Sequence, residues 1–124
     1  MAASNIALKR AYEAPAAEDG MRILIDRLWP RGVKKAEAAI DRWPKELAPS
    51  AELRRWFGHK PERWPEFRRR YRAELERHPD LVEELRASAG RQRVTLVYGA
   101  KDEARNDAVV LRELLAEPRP PRSR

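Results

Sequence analysis

Apolar and polar positions change period several times along this chain, and each change predicts an element. Ile6 and Leu8 alternate with Ala7 and Lys9, so residues 5–12 read as a first strand, half-buried or at a sheet edge. Pro15 and the pair Asp19-Gly20 mark the loop after it. Residues 21–28 predict a second strand. Its Ile23, Leu24 and Ile25 are apolar in succession, the pattern of a strand with helices on both faces. The short link between these two strands favours an antiparallel pair. Residues 36–40 are patterned as a short helix, and residues 42–47 as a helical turn that tucks Trp43 and Leu47 inward. Ser50 is placed to cap a helix with Glu52 in its first turn, with Leu53, Trp56 and Phe57 on one face and Gly58 as its end.

The clearest helical period spans residues 64–77, where Trp64, Phe67, Tyr71 and Leu75 form one stripe. His78-Pro79 ends it, because the residue before proline avoids helical geometry. Pro79 then opens a helix over residues 79–88, with Leu81 and Leu85 on its face and Gly90 as its stop. Residues 93–98 are β-branched and apolar, a third strand. After a loop over residues 99–105, Asn106 or Asp107 caps a last helix that carries Ala108, Val110, Leu111, Leu114 and Leu115.

This order predicts an α/β protein: a single layered domain over residues 1–117, with a small, mostly parallel sheet of three or slightly more strands covered by helices. Residues 118–124, rich in proline and arginine, are expected to be a disordered basic tail. If the second and third strands are parallel neighbours, the helices between them form a right-handed crossover. The loops at Trp29 and Gly99 then leave the sheet at the same edge.

Composition sharpens the picture. Of the 124 residues 42% are hydrophobic and 38% charged, so much of the chain must be solvated helix surface rather than core. A net charge of +7 favours anionic partners. Part of that excess sits on the tail, at Arg119, Arg122 and Arg124. There is no cysteine, which removes disulfides, thiolate nucleophiles and thiolate metal ligands together. The first ten residues lack the apolar core of a signal peptide, and no apolar run approaches the ~20 residues that cross a bilayer. A soluble cytoplasmic protein with no membrane partner is expected.

No nucleophile elbow, phosphate loop or dinucleotide turn is present. His59 and His78 stand alone, so neither a metal site nor a cofactor is expected. The informative stretch is the end of the second strand. Asp26 lies where a buried strand runs out, as a general acid/base or an orienter of a binding arginine; alternatively it pairs with Arg27, Arg31 or Arg54 to hold the loop. Arg27 and Arg31 can grip a phosphate or carboxylate, or simply solvate a turn. Trp29 can stack on a ligand or plug the end of the core. Across the sheet edge, Tyr98 and Asn106 stand at a strand end and a helix start, where free N–H groups favour anions, although Asn106 also serves as a plain cap. The candidate site is therefore Asp26 for chemistry, with Arg27, Trp29, Arg31, Arg54, Tyr98 and Asn106 for a small anionic ligand. Arg68, Arg69 and Arg72 form an alternative nucleic-acid surface.

The strings Asp26-Arg-Leu-Trp-Pro-Arg-Gly32, Leu47-Ala-Pro-Ser50, Trp56-Phe57, Val94-Thr-Leu-Val-Tyr98 and Asn106 with Val110-Leu111 resemble the YeaO-like branch of a bacterial family known as domain of unknown function 488. The resemblance runs from about Ile6 to Leu115. It implies a small cytoplasmic α/β protein and brings no established activity. Some members carry transcription-regulator labels, yet no helix-turn-helix recognition unit is legible here. The chain departs from the usual family pattern after Asn106. Asp107 stands where a histidine or an uncharged amide is commoner, and Arg105 comes before it.

Three readings follow: an enzyme or degenerate enzyme acting on a small anion, a polyanion-binding module, and an interaction protein. The chain is expected to be a monomer or a homodimer.

Overall fold

A computed structural model of the chain describes residues 5–117. Strands β1 (Ile6–Arg10), β2 (Met21–Leu24) and β3 (Val94–Tyr98) form one parallel sheet in the order β1-β3-β2. Its helices are α1 (Lys35–Ala38), α2 (Ala51–Phe57), α3 (Trp64–Leu75), α4 (Pro79–Arg91) and α5 (Asp107–Ala116), with 3-10 turns at Ala17–Asp19, Lys45–Leu47 and Pro61–Arg63. The molecule is thus a small α/β domain on a three-stranded parallel sheet. The tail expected from residue 118 onward lies outside the described residues. Among the described residues no helix is long and apolar enough to cross a membrane.

The antiparallel pair expected of the first two strands does not form. Both lie parallel to β3, which runs between them with Ile6 and Met21 opposite Val94. The link is short, but at ~3.3 Å per residue it still outreaches a five-residue strand and can return the chain to the sheet's starting edge. Asp19 pins that return. Its carboxylate accepts from Arg22 Nη1 at 2.7 Å, Lys9 Nζ at 3.2 Å and the Ala16 N–H at 3.0 Å, while its carbonyl accepts from Thr95 Oγ1 at 2.7 Å. Gly20 follows with φ 65°, and a Cβ there would lie 2.1 Å from the Arg93 carbonyl oxygen. That same oxygen accepts the Met21 N–H at 2.9 Å, which starts β2.

Alternation along the strands sorts side chains onto two faces. Ile23, Val94, Leu96 and Tyr98 join Phe57, Phe67, Tyr71, Leu75, Leu85 and the buried side of α5 in the main core. Leu24, Val97 and Ala11 form a second, smaller cluster, against which Trp29, Ile40 and Trp43 pack. Helices α2 to α5 therefore cover one face. The other is covered mainly by the loop-rich stretch from Trp29 to Trp43, which corrects the expectation of helices on both sides. The apolar run in β2 reports that both faces are covered, not what covers them.

Local signals set most helix ends. Ser50 Oγ accepts the Leu53 N–H at 3.1 Å, and Gly58 closes α2 in the left-handed region at φ 55°. Gly90, expected as a stop, lies inside α4. That helix runs to Arg91 and ends where Gln92 turns extended. β2 stops at Leu24 rather than residue 28, and the Ile25 N–H makes one more bond, to Val97 O at 3.1 Å, before the chain leaves the sheet.

Candidate ligand-binding site

Because β2 and β3 are parallel neighbours, the segments after them meet at one sheet edge, as that arrangement requires. The Gly99 N–H donates to Asp26 Oδ2 at 2.9 Å, which ties the two exits together. Asp107, the first residue of α5, also hydrogen-bonds the Asp26 side chain. Asn106 caps that helix: its Oδ1 accepts the Val109 N–H at 3.0 Å, and its Nδ2 donates to Asp102 O at 2.9 Å.

Over this junction opens a cavity of about 450 Å³. Asp26, Arg27, Trp29, Arg31, Arg54 and Asn106 all line it. Tyr98 does not. It is 3% exposed and faces the helices along with Val94 and Leu96, since alternate strand residues share a face. Burial, followed by the nearby Glu103 and Glu13, raises its hydroxyl pKa.

The basic groups differ in how they are engaged. Arg27 donates from Nε to Pro49 O at 3.1 Å. Arg105 pairs with Asp102 at 3.2 Å. The guanidiniums of Arg31 and Arg54 make no hydrogen bond or ion pair with any described residue. Asp26, for its part, forms no ion pair with Arg27, Arg31 or Arg54; it bonds a backbone amide and a second acid instead.

Two acids in contact cannot both ionise cheaply. Burial first, then the charge of Asp26 and the hydrogen bond to it, push the Asp107 pKa well above the ordinary carboxyl range. The contact therefore favours one proton held between the two carboxyl groups. Tyr71 lies beneath, fully buried, with its hydroxyl donating to Leu47 O at 2.5 Å. Burial, reinforced by Asp107, Asp26 and Glu74, holds that hydroxyl neutral far above its ordinary pKa.

The aromatic wall is tied by hydrogen bonds and ring contacts. Trp29 Nε1 donates to Val33 O at 2.6 Å, its ring meets Trp43 edge-on at 5.5 Å, and the Lys35 ammonium lies 5.8 Å from its centroid. Trp43 in turn donates from Nε1 to Asp26 O at 2.7 Å. Trp29 thus plugs the smaller core and lines the cavity at once. Pro49, Phe57, His59, Phe67 and Asp107 also line it, beyond the residues whose sequence pattern points to a ligand. Phe57 and Phe67 stack at 4.3 Å and read in sequence as core, which they are. Asp107 carried the one usable signal, as a departure from the family pattern. Among the described residues no group of three or more His, Asp or Glu side chains is placed to hold a metal ion.

The arginine row on α3 is locally matched. Arg68 pairs with Glu113 at 2.7 Å, Arg69 and Arg70 share Glu66 at 2.6 and 2.7 Å, and Arg72 pairs with Glu117 at 2.7 Å. The hydrogen bonds from Arg69 and Arg70 lower the Glu66 pKa to about 2, so this acid stays charged between its arginines.

Comparison with known proteins gives a consistent result. A family model described as the inactive DUF488-N3 subclade matches residues 5–121. The uncharacterised protein YeaO of Escherichia coli (strain K12) is 45% identical over 111 residues, covering 90% of this chain and 96% of that protein. The uncharacterised protein Rv3073c of Mycobacterium tuberculosis is 43% identical over 112 residues, covering 90% of this chain and 94% of its own length. No solved structure gives a significant match.

Proposed function

The chain belongs to the DUF488-N3 family, within its subclade described as inactive, and on that premise we propose that it binds a small phosphate- or carboxylate-bearing ligand in the strand-end cavity without transforming it. The observation that carries the reading is the pair Arg31 and Arg54: two guanidiniums without a hydrogen-bond or ion-pair partner among the described residues, on the wall of a cavity of about 450 Å³. Guanidinium forks fit phosphate and carboxylate oxygens, and the position outside the carboxyl ends of parallel strands is where α/β sheets hold ligands. Binding is favoured over turnover because Asp26, the best acid/base candidate, is engaged by the Gly99 N–H and Asp107.

The polyanion alternative has less support, since Arg68, Arg69 and Arg72 each face a carboxylate already. A cytoplasmic location suits a chain without cysteine.

Titrating the protein with inorganic phosphate at low ionic strength, followed by tryptophan fluorescence, tests the proposal. Arg31→Ala and Arg54→Ala should each weaken binding by roughly tenfold or more, the scale of a lost hydrogen bond to a charged group. Undiminished affinity in the double variant would overturn it.

A further inference from the structure

We infer that the ligand of this cavity is a phosphate monoester whose far end presents N–H donors. This rests on the anion-binding reading above and adds the second half of the ligand to it.

The cavity is two-signed. Among the described residues Arg31 and Arg54, on its wall, find no ion-pair partner, and of Arg27 only the Nε is tied down, on Pro49 O. Asp26 and Asp107 line it as well, with their carboxyl groups in contact. With Arg105 neutralised by Asp102, three guanidiniums thus stand against one pair of acids that shares a proton. The positive surplus is close to the charge of a phosphate monoester, whose second ionisation lies near ~6, and exceeds what one carboxylate supplies. Phosphate alone would fill only part of the space, since cavities of ~300–1,000 Å³ hold whole metabolites.

The acid end selects the rest of the molecule. Asp26 Oδ2 receives the Gly99 N–H at 2.9 Å, and a carboxyl oxygen has lone-pair capacity for a further donor. A paired N–H edge or an ammonium of the ligand meets this oxygen pair more strongly than a single hydroxyl does, whereas a carbonyl or ether oxygen is repelled by it. Phe57, Phe67 and Trp29 line the same cavity, which calls for an apolar or flat midsection. Two sources supply this chemistry, a purine nucleoside monophosphate and an amino-sugar phosphate.

Calorimetric titration of the full chain at pH 7 and low salt separates them, with guanosine 5′-monophosphate, glucosamine 6-phosphate, glucose 6-phosphate and inorganic phosphate as probes. We expect guanosine 5′-monophosphate or glucosamine 6-phosphate to bind at least tenfold more tightly than the two probes without N–H, and the tighter of the pair identifies the source. Asp26→Asn, which puts an amide donor in place of one acceptor oxygen, should erase that advantage, read as the ratio of affinities for the N–H probes and glucose 6-phosphate within the same variant. Equal binding of all four probes, or a ratio untouched by Asp26→Asn, overturns the inference and leaves the anion site standing. If no probe binds, both readings fall.

Discussion

Two carboxyl groups in this fold are pushed in opposite directions by their neighbours, and the stability should register both. For Asp19, burial works to raise the pKa, but the Ala16 N–H and the Lys9 and Arg22 cations outweigh it, so the net shift is downward. A lowered folded pKa gives stability that is present above the ordinary value of ~3.9 and is lost as pH falls through the folded value. Asp107 behaves in the reverse sense. Its raised pKa means that its contribution is complete below ~3.9 and is lost as pH rises through the folded value. Asp107→Asn removes this group while keeping a donor for Asp26. Between pH 4 and 8 the thermal midpoint of the variant should fall less with pH than that of the parent, and should exceed it at the upper end. Parallel curves would mean that the two acids do not share a proton.

Single elements here are held in place by identifiable polar joints. Glu74 on α3 accepts the Ser50 N–H at 2.8 Å and the Ser50 hydroxyl at 2.7 Å, while the same hydroxyl oxygen caps α2. One side chain therefore aligns the two helices whose Phe57 and Phe67 wall the cavity. Glu74→Ala should cost about 1–3 kcal/mol in urea unfolding, the penalty for leaving such partners unmet, and a loss under a few tenths would show that the joint is incidental. At the start of β2 the constraint is steric. Gly20→Ala places a Cβ on the Arg93 carbonyl in a left-handed backbone, so a loss of at least ~1–3 kcal/mol is expected, read by the same unfolding curve. The helix caps at Ser50, Gly58 and Asn106 were legible in sequence because capping is settled within four residues. Gly90 misled because a glycine within a helix looks the same in sequence as one that ends it. Here the packing of Val82, Leu85 and Ala89 carries α4 past it.

For the molecule as a whole, net charge is a poor guide to where anions go. The chain carries +7, yet the arginine row of α3 is matched to Glu66, Glu113 and Glu117, while on the cavity wall Arg27, Arg31 and Arg54 pair with no carboxylate among the described residues. Exposed pairs of this kind contribute little to stability, but they lower the local potential on which nucleic-acid affinity depends. Replacing Arg68, Arg69 and Arg72 together by alanine should change duplex DNA affinity less than about threefold at ~150 mM salt, measured by fluorescence anisotropy. A loss of tenfold or more would restore that face as a polyanion surface.

Taken alone, the sequence determined what depends on near neighbours: strand and helix identities, most caps, the Phe67–Tyr71–Leu75 stripe, the family fingerprint from Asp26 to Gly32 and the α/β class. It placed Asp26, Arg27, Trp29, Arg31, Arg54 and Asn106 in one candidate region by assuming that β2 and β3 lie parallel, and the sheet has that pairing. The tertiary structure decided what depends on distant partners. β3 sits between β1 and β2 because its burial needs a strand on either side. Tyr98 turns into the core because strand alternation, once registered against Leu24 and Arg10, leaves it no choice of face. Asp26 and Asp107, some eighty positions apart, meet only when α5 docks against the sheet edge. Proximity across such a separation leaves no mark on either residue's local sequence, so their shared proton belongs to the fold.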